Sequence, residues 1–216
     1  MNIFDINNTF TTVFGYSLSY VEFVGTLLGL LSVWFAANEN ILTWPTGVIN
    51  VICFFAIFYQ VHLYSDTFLQ VYFFITSIYG WLTWKNQRQA NKPISILTQN
   101  KRVVILSLIF LTTLLLGFLV KNIHLLFPRI FPHPASFPYI DTFIAVSSII
   151  ATIFLAKRII ENWVLWIVVD IVCVFVYAMK NILFISIEYG VFFLLASYGL
   201  FVWIKTIKND KGLYIG

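Results

Sequence analysis

The chain has 216 residues, of which 60% are apolar and only 10% are charged, and its mean hydropathy is +0.89. A soluble domain is about half apolar and about a quarter charged, so a chain of this composition cannot keep its surface in water and must be embedded in lipid. The formal net charge is +4, and the basic residues flank apolar segments, so nothing in the charge pattern indicates a nucleic-acid surface and we predict no nucleic-acid partner.

The first residues of the chain do not resemble a cleaved signal. Residues 1–16 contain no basic cluster followed by an apolar core and a small-residue cleavage site, so we expect the first spanning helix to direct insertion. The same residues are too polar to cross a bilayer. We therefore predict a short N-terminal segment, residues 1–16, at the membrane interface.

Seven apolar segments follow, each near the 20 or so residues that a bilayer core of about 30 Å requires. Polar breaks separate them, including a basic linker over residues 85–102 and a proline-rich loop over residues 128–138. The pattern predicts an all-α integral membrane protein with seven transmembrane helices, at residues 18–37, 41–59, 67–84, 103–126, 140–157, 163–182 and 187–205.

Lysine and arginine are distributed unevenly between the two sides that seven crossings define. Of the 13 basic residues, 10 fall on the side of the C-terminus, and the others are Lys121, Arg129 and Lys180. Because basic loops are retained in the cytoplasm, we predict an N-terminus outside the cell and a C-terminus in the cytoplasm.

The chain also contains an internal repeat. The segment NVICFFAIFYQ (50–60) resembles DIVCVFVYAMK (170–180), and YFFITSIYGWLTW (72–84) resembles VFFLLASYGLFVW (191–203). An even number of crossings separates the two copies, so they are parallel rather than inverted. We predict a 3+1+3 arrangement with repeat 1 at residues 17–84, a linker, helix 4 and outer loop at 85–139, repeat 2 at 140–205, and a tail at 206–216.

Two pairs of residues recur near the ends of these copies. Trp84 and Trp203 each precede a basic flank, so we expect both indoles to anchor their helices at the level of the lipid headgroups. Gly80 and Gly199 lie one turn earlier, and we expect them to permit close helix packing rather than to bind a ligand.

Asp170 is unusual because it lies well inside an apolar helix. An aspartate at a helix centre costs about 2.5–3.5 kcal/mol in a bilayer, so it should face the bundle interior or a wet cavity. Lys180 is the nearest intramembrane cation in sequence, although it could instead pair with Glu188 at the rim. Trp163 and Trp166 share the helical face of Asp170, so a cationic aromatic solute would gain cation–π and Coulomb attraction there.

Further polar and aromatic side chains lie on the neighbouring helices and on the helical face that carries Asp170. Asn50 is the counterpart of Asp170 in the first repeat, and it either contacts a solute or holds two helices together. The other polar and aromatic side chains of this set are Gln70, Tyr79, Trp81, Tyr177, Glu188, Tyr189 and Tyr198. Their amide and hydroxyl groups suit a small polar aromatic molecule.

The sequence gives no sign of a metal site or a catalytic centre. Cys53 and Cys173 lie inside apolar segments, where we expect small buried thiols rather than a disulfide. The three histidines lack metal-ligand spacing, and a single buried aspartate lacks the partner groups that catalysis needs. We predict no cofactor, no metal and no enzymatic activity.

Three segments resemble one family of membrane proteins. ENWVLWIVVD (161–170), QVYFFITSIYGW (70–81) and WPTGVIN (44–50) are similar to motifs of the PnuC nicotinamide riboside transporters, and the resemblance extends over about residues 18–205. It implies a homotrimer in the bacterial inner membrane with an architecture similar to that of the SWEET sugar transporters. It also implies facilitated diffusion (uniport) of nicotinamide riboside, which a cytoplasmic kinase then traps by phosphorylation.

The resemblance also implies which residues bind the substrate. Trp166 and Asp170 match the positions expected to contact it. The other residues expected to line the cavity are Gln70, Tyr79, Trp81, Asn50 and Tyr198.

Two alternatives to uniport of nicotinamide riboside stay open. They are proton coupling through Asp170 and transport of a related vitamin such as thiamine.

Overall fold

The structure, a computed structural model, describes residues 4–13, 15–61, 64–89, 93–129, 134–179 and 183–212. Within these residues the chain forms seven helices in the predicted order. They are α1 (Tyr20–Ala37), α2 (Thr43–Gln60), α3 (Tyr64–Gln89), α4 (Gln99–Leu126), α5 (Pro138–Ala156), α6 (Glu161–Met179) and α7 (Leu183–Gly212). Six of these helices, all except α3, are long and apolar enough to cross a membrane. The prediction of a multi-pass helical protein is confirmed, and the crossing of the more polar α3 stays a prediction.

The N-terminal segment contains a β-hairpin that the sequence analysis did not predict. Strand β1 (Thr9–Val13) pairs antiparallel with β2 (Tyr16–Ser19), and Gly15 between them takes a φ of +80°, which favours glycine. Threonine, valine and aromatic residues suit such strands. The all-α prediction is therefore wrong for this stretch. Strand β2 leads directly into α1, where Ser19 and Glu22 form a capping box.

Six of the helices pack in a closed order around the bundle. Helix α2 packs between α1 and α3, and α6 packs between α5 and α7. Helix α1 also contacts α7, and α3 contacts α5, so the first triplet of helices (α1–α3) touches the second triplet (α5–α7) along two seams. Helix α4 packs against α5 at the outside of this arrangement.

Four tryptophans identify one end of the bundle. The ring of Trp84, near the end of α3, lies 5.5 Å from that of Trp44 and 6.4 Å from that of Trp203, measured between centroids. Trp163, at the start of α6, meets Trp203 edge to face at 5.6 Å. The last residues of α1 and α5 belong to the same cluster. We call this the tryptophan end; α1, α3, α5 and α7 run towards it, and the opposite end is the hairpin end.

Two of these indoles form matching hydrogen bonds between the triplets. Trp84 Nε1 donates to the carbonyl oxygen of Leu155 at 3.0 Å, and Trp203 Nε1 donates to that of Ala36 at 3.2 Å. Trp84 is 3% exposed and Trp203 is fully buried. The prediction that these indoles anchor the helices among lipid headgroups is wrong, because both are buried inside the bundle and bond to backbone carbonyls that end two other helices.

The repeated glycines leave room for the other two indoles. A methyl group built on Gly80 would lie 2.2 Å from the Trp44 ring, and one built on Gly199 would lie 2.7 Å from the Trp163 ring. Carbon atoms cannot approach so closely, so each glycine is required by the tryptophan that packs on it. The prediction that these glycines serve helix packing is confirmed.

We expect Gly199→Ala to destabilise the protein, because the new methyl group would push Trp163 out of a filled cluster at a cost of about 1–3 kcal/mol. Gly80→Ala should have the same effect through Trp44. The measurement is the thermal unfolding midpoint of the purified protein in detergent.

Gly190→Ala is the matched control on the same helix as Gly199, since a methyl group there would meet no atom within 4 Å. Alanine is a better helix former than glycine by about 1 kcal/mol, so the midpoint should stay level or rise. Equal midpoints for the Gly190 and Gly199 variants would contradict the packing role of Gly199.

Candidate functional site

Helix α6 turns its polar stripe into the bundle. Asp170 is 3% exposed and Cys173 1%, and Tyr177 one turn later is half-buried. Val168 and Phe175 lie on the opposite, exposed face of the same helix. The prediction that Asp170 faces the interior is therefore consistent with the structure, and lipid does not contact this carboxyl group.

Helix α7 brings an aromatic ring and a second acid to this stripe. The ring of Tyr189 stacks on that of Tyr177, with centroids 5.5 Å apart and planes 10° from parallel. Asp170, Tyr177 and Glu188 all lie within electrostatic range of the Tyr189 phenol. We call Asp170, Tyr177, Glu188 and Tyr189 the α6–α7 site. Tyr189 was not among the predicted substrate contacts, although its position next to an acid in an apolar helix was an available signal.

Helix α1 and the hairpin extend the acidic character towards the hairpin end. Glu188 lies beside Thr26 and Glu22 of α1. Tyr16 of the hairpin donates a hydrogen bond to Glu22 and stacks on Phe184 of α7 at 5.2 Å. Burial and the Glu22 hydrogen bond raise the pKa of Tyr16 well above its usual value, so the phenol stays protonated and continues to donate.

Asn50 holds α2 against α1. Its Nδ2 atom donates to the carbonyl oxygen of Gly25 at 2.8 Å. A methyl group on Gly29, one turn later, would lie 2.7 Å from Asn50 Nδ2 and 3.7 Å from the ring of Phe192, which itself packs on Tyr189. The interhelical role left open by the sequence is confirmed, and the amide lies one side chain away from the aromatic part of the α6–α7 site.

Other predicted site residues lie apart from this group. Trp163 is buried in the tryptophan cluster, and Trp166 is partly buried against the same cluster. Tyr198 stacks on Trp34 at 5.1 Å and donates to Asn38 at 3.3 Å. The remaining three predicted residues belong to α3. Gln70 is half-buried, Tyr79 is 47% exposed and Trp81 is 38% exposed.

Among the described residues, the charged groups around the α6–α7 site are acidic. The ion pairs among the described residues, Arg102–Glu161 and Arg158–Glu39, involve neither Asp170 nor Glu188. Lys180, the predicted partner, lies outside the described residues. Two carboxyl groups beside stacked aromatic rings can attract a cation and a flat ring together, and they disfavour a ligand with two negative charges.

We expect Asn50→Ala to lower the thermal unfolding midpoint in detergent, because it removes the hydrogen bond between α2 and α1, worth about 1 kcal/mol. Asn122→Ala is the control, since the hydrogen bond of Asn122 within the described part of the chain lies in its own helix, to the carbonyl oxygen of Phe118. A larger loss for Asn122 than for Asn50 would contradict the interhelical role.

Comparison with known proteins gives consistent matches over nearly the whole chain. The family described as "Nicotinamide mononucleotide transporter" matches residues 19–205. The nicotinamide riboside transporter PnuC of Escherichia coli is 31% identical over 215 residues, covering 90% of this chain and 89% of that protein. The riboflavin/roseoflavin transporter RibM of Streptomyces davaonensis is 23% identical over 210 residues, covering 95% of this chain and 94% of that protein.

A solved structure shares the fold. The crystal structure of the vitamin B3 transporter PnuC matches this chain with a TM-score of 0.67 and 20% sequence identity, covering 88% of this chain and 83% of that structure. At this identity the match extends to the fold and not to the ligand. The relatives named above are transporters, and the long apolar helices agree with a multi-pass membrane protein.

Proposed function

This chain belongs to the nicotinamide mononucleotide transporter family, and from that premise we propose that it carries nicotinamide riboside across the membrane. The observation that carries the proposal is the buried carboxyl group of Asp170 beside stacked aromatic rings. Nicotinamide riboside has a cationic pyridinium ring, a carboxamide and ribose hydroxyls. Burying an ionised carboxyl group in a helix bundle costs free energy unless a cationic ligand or a proton neutralises its charge.

The substrate binds at the α6–α7 site, whose residues come from two neighbouring helices. Asp170 faces the positive ring, and the stacked pair Tyr177 and Tyr189 supplies aromatic surface next to it. Trp166, one turn from Asp170, stacks on the ring, and Glu188 attracts the cation towards the site. Contact of the carboxamide and ribose with further residues stays a prediction: Asn50 lies one side chain from the α6–α7 site, and the others lie apart from it in this structure, namely Gln70, Tyr79, Trp81, Trp163 and Tyr198.

The unphosphorylated nucleoside is favoured over the mononucleotide in the family description. A phosphate dianion needs basic partners, and burying it without them costs several kcal/mol. The carboxyl groups of Asp170, Glu188 and Glu22 instead add negative charge on the path from the hairpin end. The E. coli relative is likewise named for nicotinamide riboside.

The helices work as a 3+1+3 arrangement of two parallel triplets, similar to that of the SWEETs. Residues 17–84 form repeat 1 and residues 140–205 form repeat 2, with α4 and its flanking loops between them. Support comes from α1 and α5, which run in the same direction, and from the matching seams α1–α7 and α3–α5. Rocking of one repeat against the other exposes the site to each side in turn, as uniport requires.

The protein lies in the bacterial inner membrane, with its N-terminus outside and its C-terminus in the cytoplasm, and assembles as a homotrimer. Support for the orientation is the excess of basic residues on the C-terminal side. A cytoplasmic kinase that phosphorylates nicotinamide riboside removes the product and keeps inward diffusion favourable.

Two alternatives have specific support. The riboflavin/roseoflavin transporter among the relatives indicates that this frame also serves other vitamins, thiamine being one candidate. A carboxyl group within the membrane, such as Asp170, is a common proton carrier, which favours proton coupling as the alternative mechanism.

We expect Asp170→Asn to weaken equilibrium binding of nicotinamide riboside by about tenfold to about a hundredfold, or about 1.4–2.7 kcal/mol, because the cation loses its carboxylate. Trp166→Ala should weaken binding by a similar factor through the lost cation–π contact. Isothermal titration calorimetry on the purified protein measures both.

The reduced nicotinamide riboside, whose ring is neutral, is the ligand control, and its binding should change little in Asp170→Asn. Asp141→Asn, at the exposed start of α5, is the matched variant and should bind as the parent does. Parent-like affinity of Asp170→Asn for the cationic form would overturn the site assignment, and tighter binding of thiamine, riboflavin or the mononucleotide would change the substrate.

We expect proteoliposomes to take up labelled nicotinamide riboside down its own gradient at equal rates with and without an imposed pH gradient, because a uniporter moves no second ion. Uptake that needs the pH gradient, or internal accumulation driven by it, would contradict uniport and favour proton coupling. Empty liposomes give the leak rate.

A further inference from the structure

We propose that the Glu39–Arg158 ion pair is the centre of a gate that holds the tryptophan end closed and separates when that end opens. The proposal rests on the proposed function as a carrier with two repeats. Glu39 lies in the turn between α1 and α2, and Arg158 lies in the turn between α5 and α6. Their side chains form one of the ion pairs among the described residues.

The two residues occupy equivalent positions, 119 residues apart. After α1, the Glu39 N–H bonds to the Ala36 carbonyl and the Asn40 N–H to that of Phe35. After α5, the N–H groups at 158 and 159 bond in the same way to the carbonyls at 155 and 154. Each turn is therefore a Schellman motif, in which the first residue past the cap is left-handed.

Both left-handed positions carry long charged side chains. The φ angle is +53° at Glu39 and +56° at Arg158. Glycine is the usual residue here, and a residue with a Cβ atom costs about 1–2 kcal/mol in this conformation. Since each repeat bears this cost at the same place, the side chains have a role that glycine could not serve, and the role visible in the structure is to bind each other.

Three polar contacts in this region join one triplet to the other. The ion pair links equivalent points, so it lies where an axis relating the two triplets must pass. On either side of it, Trp203 of α7 bonds to Ala36 of α1, and Trp84 of α3 bonds to Leu155 of α5. A rocking motion that parts the triplets at this end must break these three contacts together.

The pair is well suited to reversible opening. The Arg158 side chain is 14% exposed and that of Glu39 21%, and the guanidinium lies 5.6 Å from the centroid of the Trp84 ring. In a largely buried ion pair the Coulomb attraction is mostly offset by the loss of hydration. When water enters the opening end, it solvates both ions, so the contact can separate and re-form more easily than an apolar contact of the same size.

The test uses a thiol that the closed state protects. The chain has two cysteines, so Cys53→Ser leaves only Cys173, which is 1% exposed next to the α6–α7 site. In this background we expect Glu39→Arg or Arg158→Glu, which place like charges together, to raise the rate of Cys173 alkylation by a water-soluble maleimide about tenfold. The double exchange Glu39→Arg/Arg158→Glu should restore the parent rate to within about threefold, because the two positions are equivalent.

Arg102→Glu is the matched control, because Arg102 pairs with Glu161 at the same end of the bundle but joins α4 to α6 rather than one triplet to the other. Its alkylation rate should equal that of the parent. Glu39→Gln, which removes the charge without creating repulsion, should raise the rate in the same direction and guards against misfolding of the reversed variants. Parent-like rates in the single variants, or no recovery in the double exchange, would overturn the gate.

The thiol measurement needs no substrate, so it separates the gate from the proposed function. If the parent fails to bind nicotinamide riboside but the exchange still restores protection, the substrate is wrong and the gate stands. If the parent binds and transports nicotinamide riboside while the exchange fails to restore protection, the gate is wrong and the proposed function stands.

Discussion

The structure depends on how the buried carbonyl groups at the ends of α1 and α5 find hydrogen-bond donors. The last carbonyl groups of a helix have no partner within its regular bonding pattern, and where they are buried away from water another protein group must satisfy them. Here the equivalent carbonyls of Ala36 and Leu155 accept a bond from the following turn and another from an indole of the opposite triplet. One solution, used twice, therefore caps both helices and joins the two triplets.

This use of tryptophan decides where a site can form. Four indoles fill the tryptophan end, and Gly80 and Gly199 allow two of them to pack against helix backbone. Little space is left there for a solute. The polar and acidic groups lie on α6 and α7 at a distance from the tryptophan end, where Tyr177 stacks on Tyr189 and Asp170 is buried. Close packing at the tryptophan end and polar groups in the middle of the bundle show that the tryptophan end is closed in this structure.

The two triplets share a frame but differ in chemistry. In the first, Asn50 uses its amide to hold α2 against α1. In the second, the counterpart Asp170 places a carboxyl group in the bundle, outside the two ion pairs of the described residues. Glu39 and Arg158 show the same divergence with opposite charges. Equivalent positions in the two triplets thus carry different, and at Glu39 and Arg158 complementary, side chains.

The sequence by itself determined the number and order of the helices, the repeat, the buried acid and the resemblance to a transporter family, because apolar length and repeated motifs are local properties of the chain. It also identified the glycines as packing residues. It did not predict the hairpin, since strand propensity in a short polar stretch is weak against the dominant helical pattern. Only the tertiary structure decided that Trp84 and Trp203 are buried, that Tyr189 joins Asp170, and that Glu39 meets Arg158. Helical periodicity tells which face a residue occupies, but the partner of that face depends on how distant helices pack.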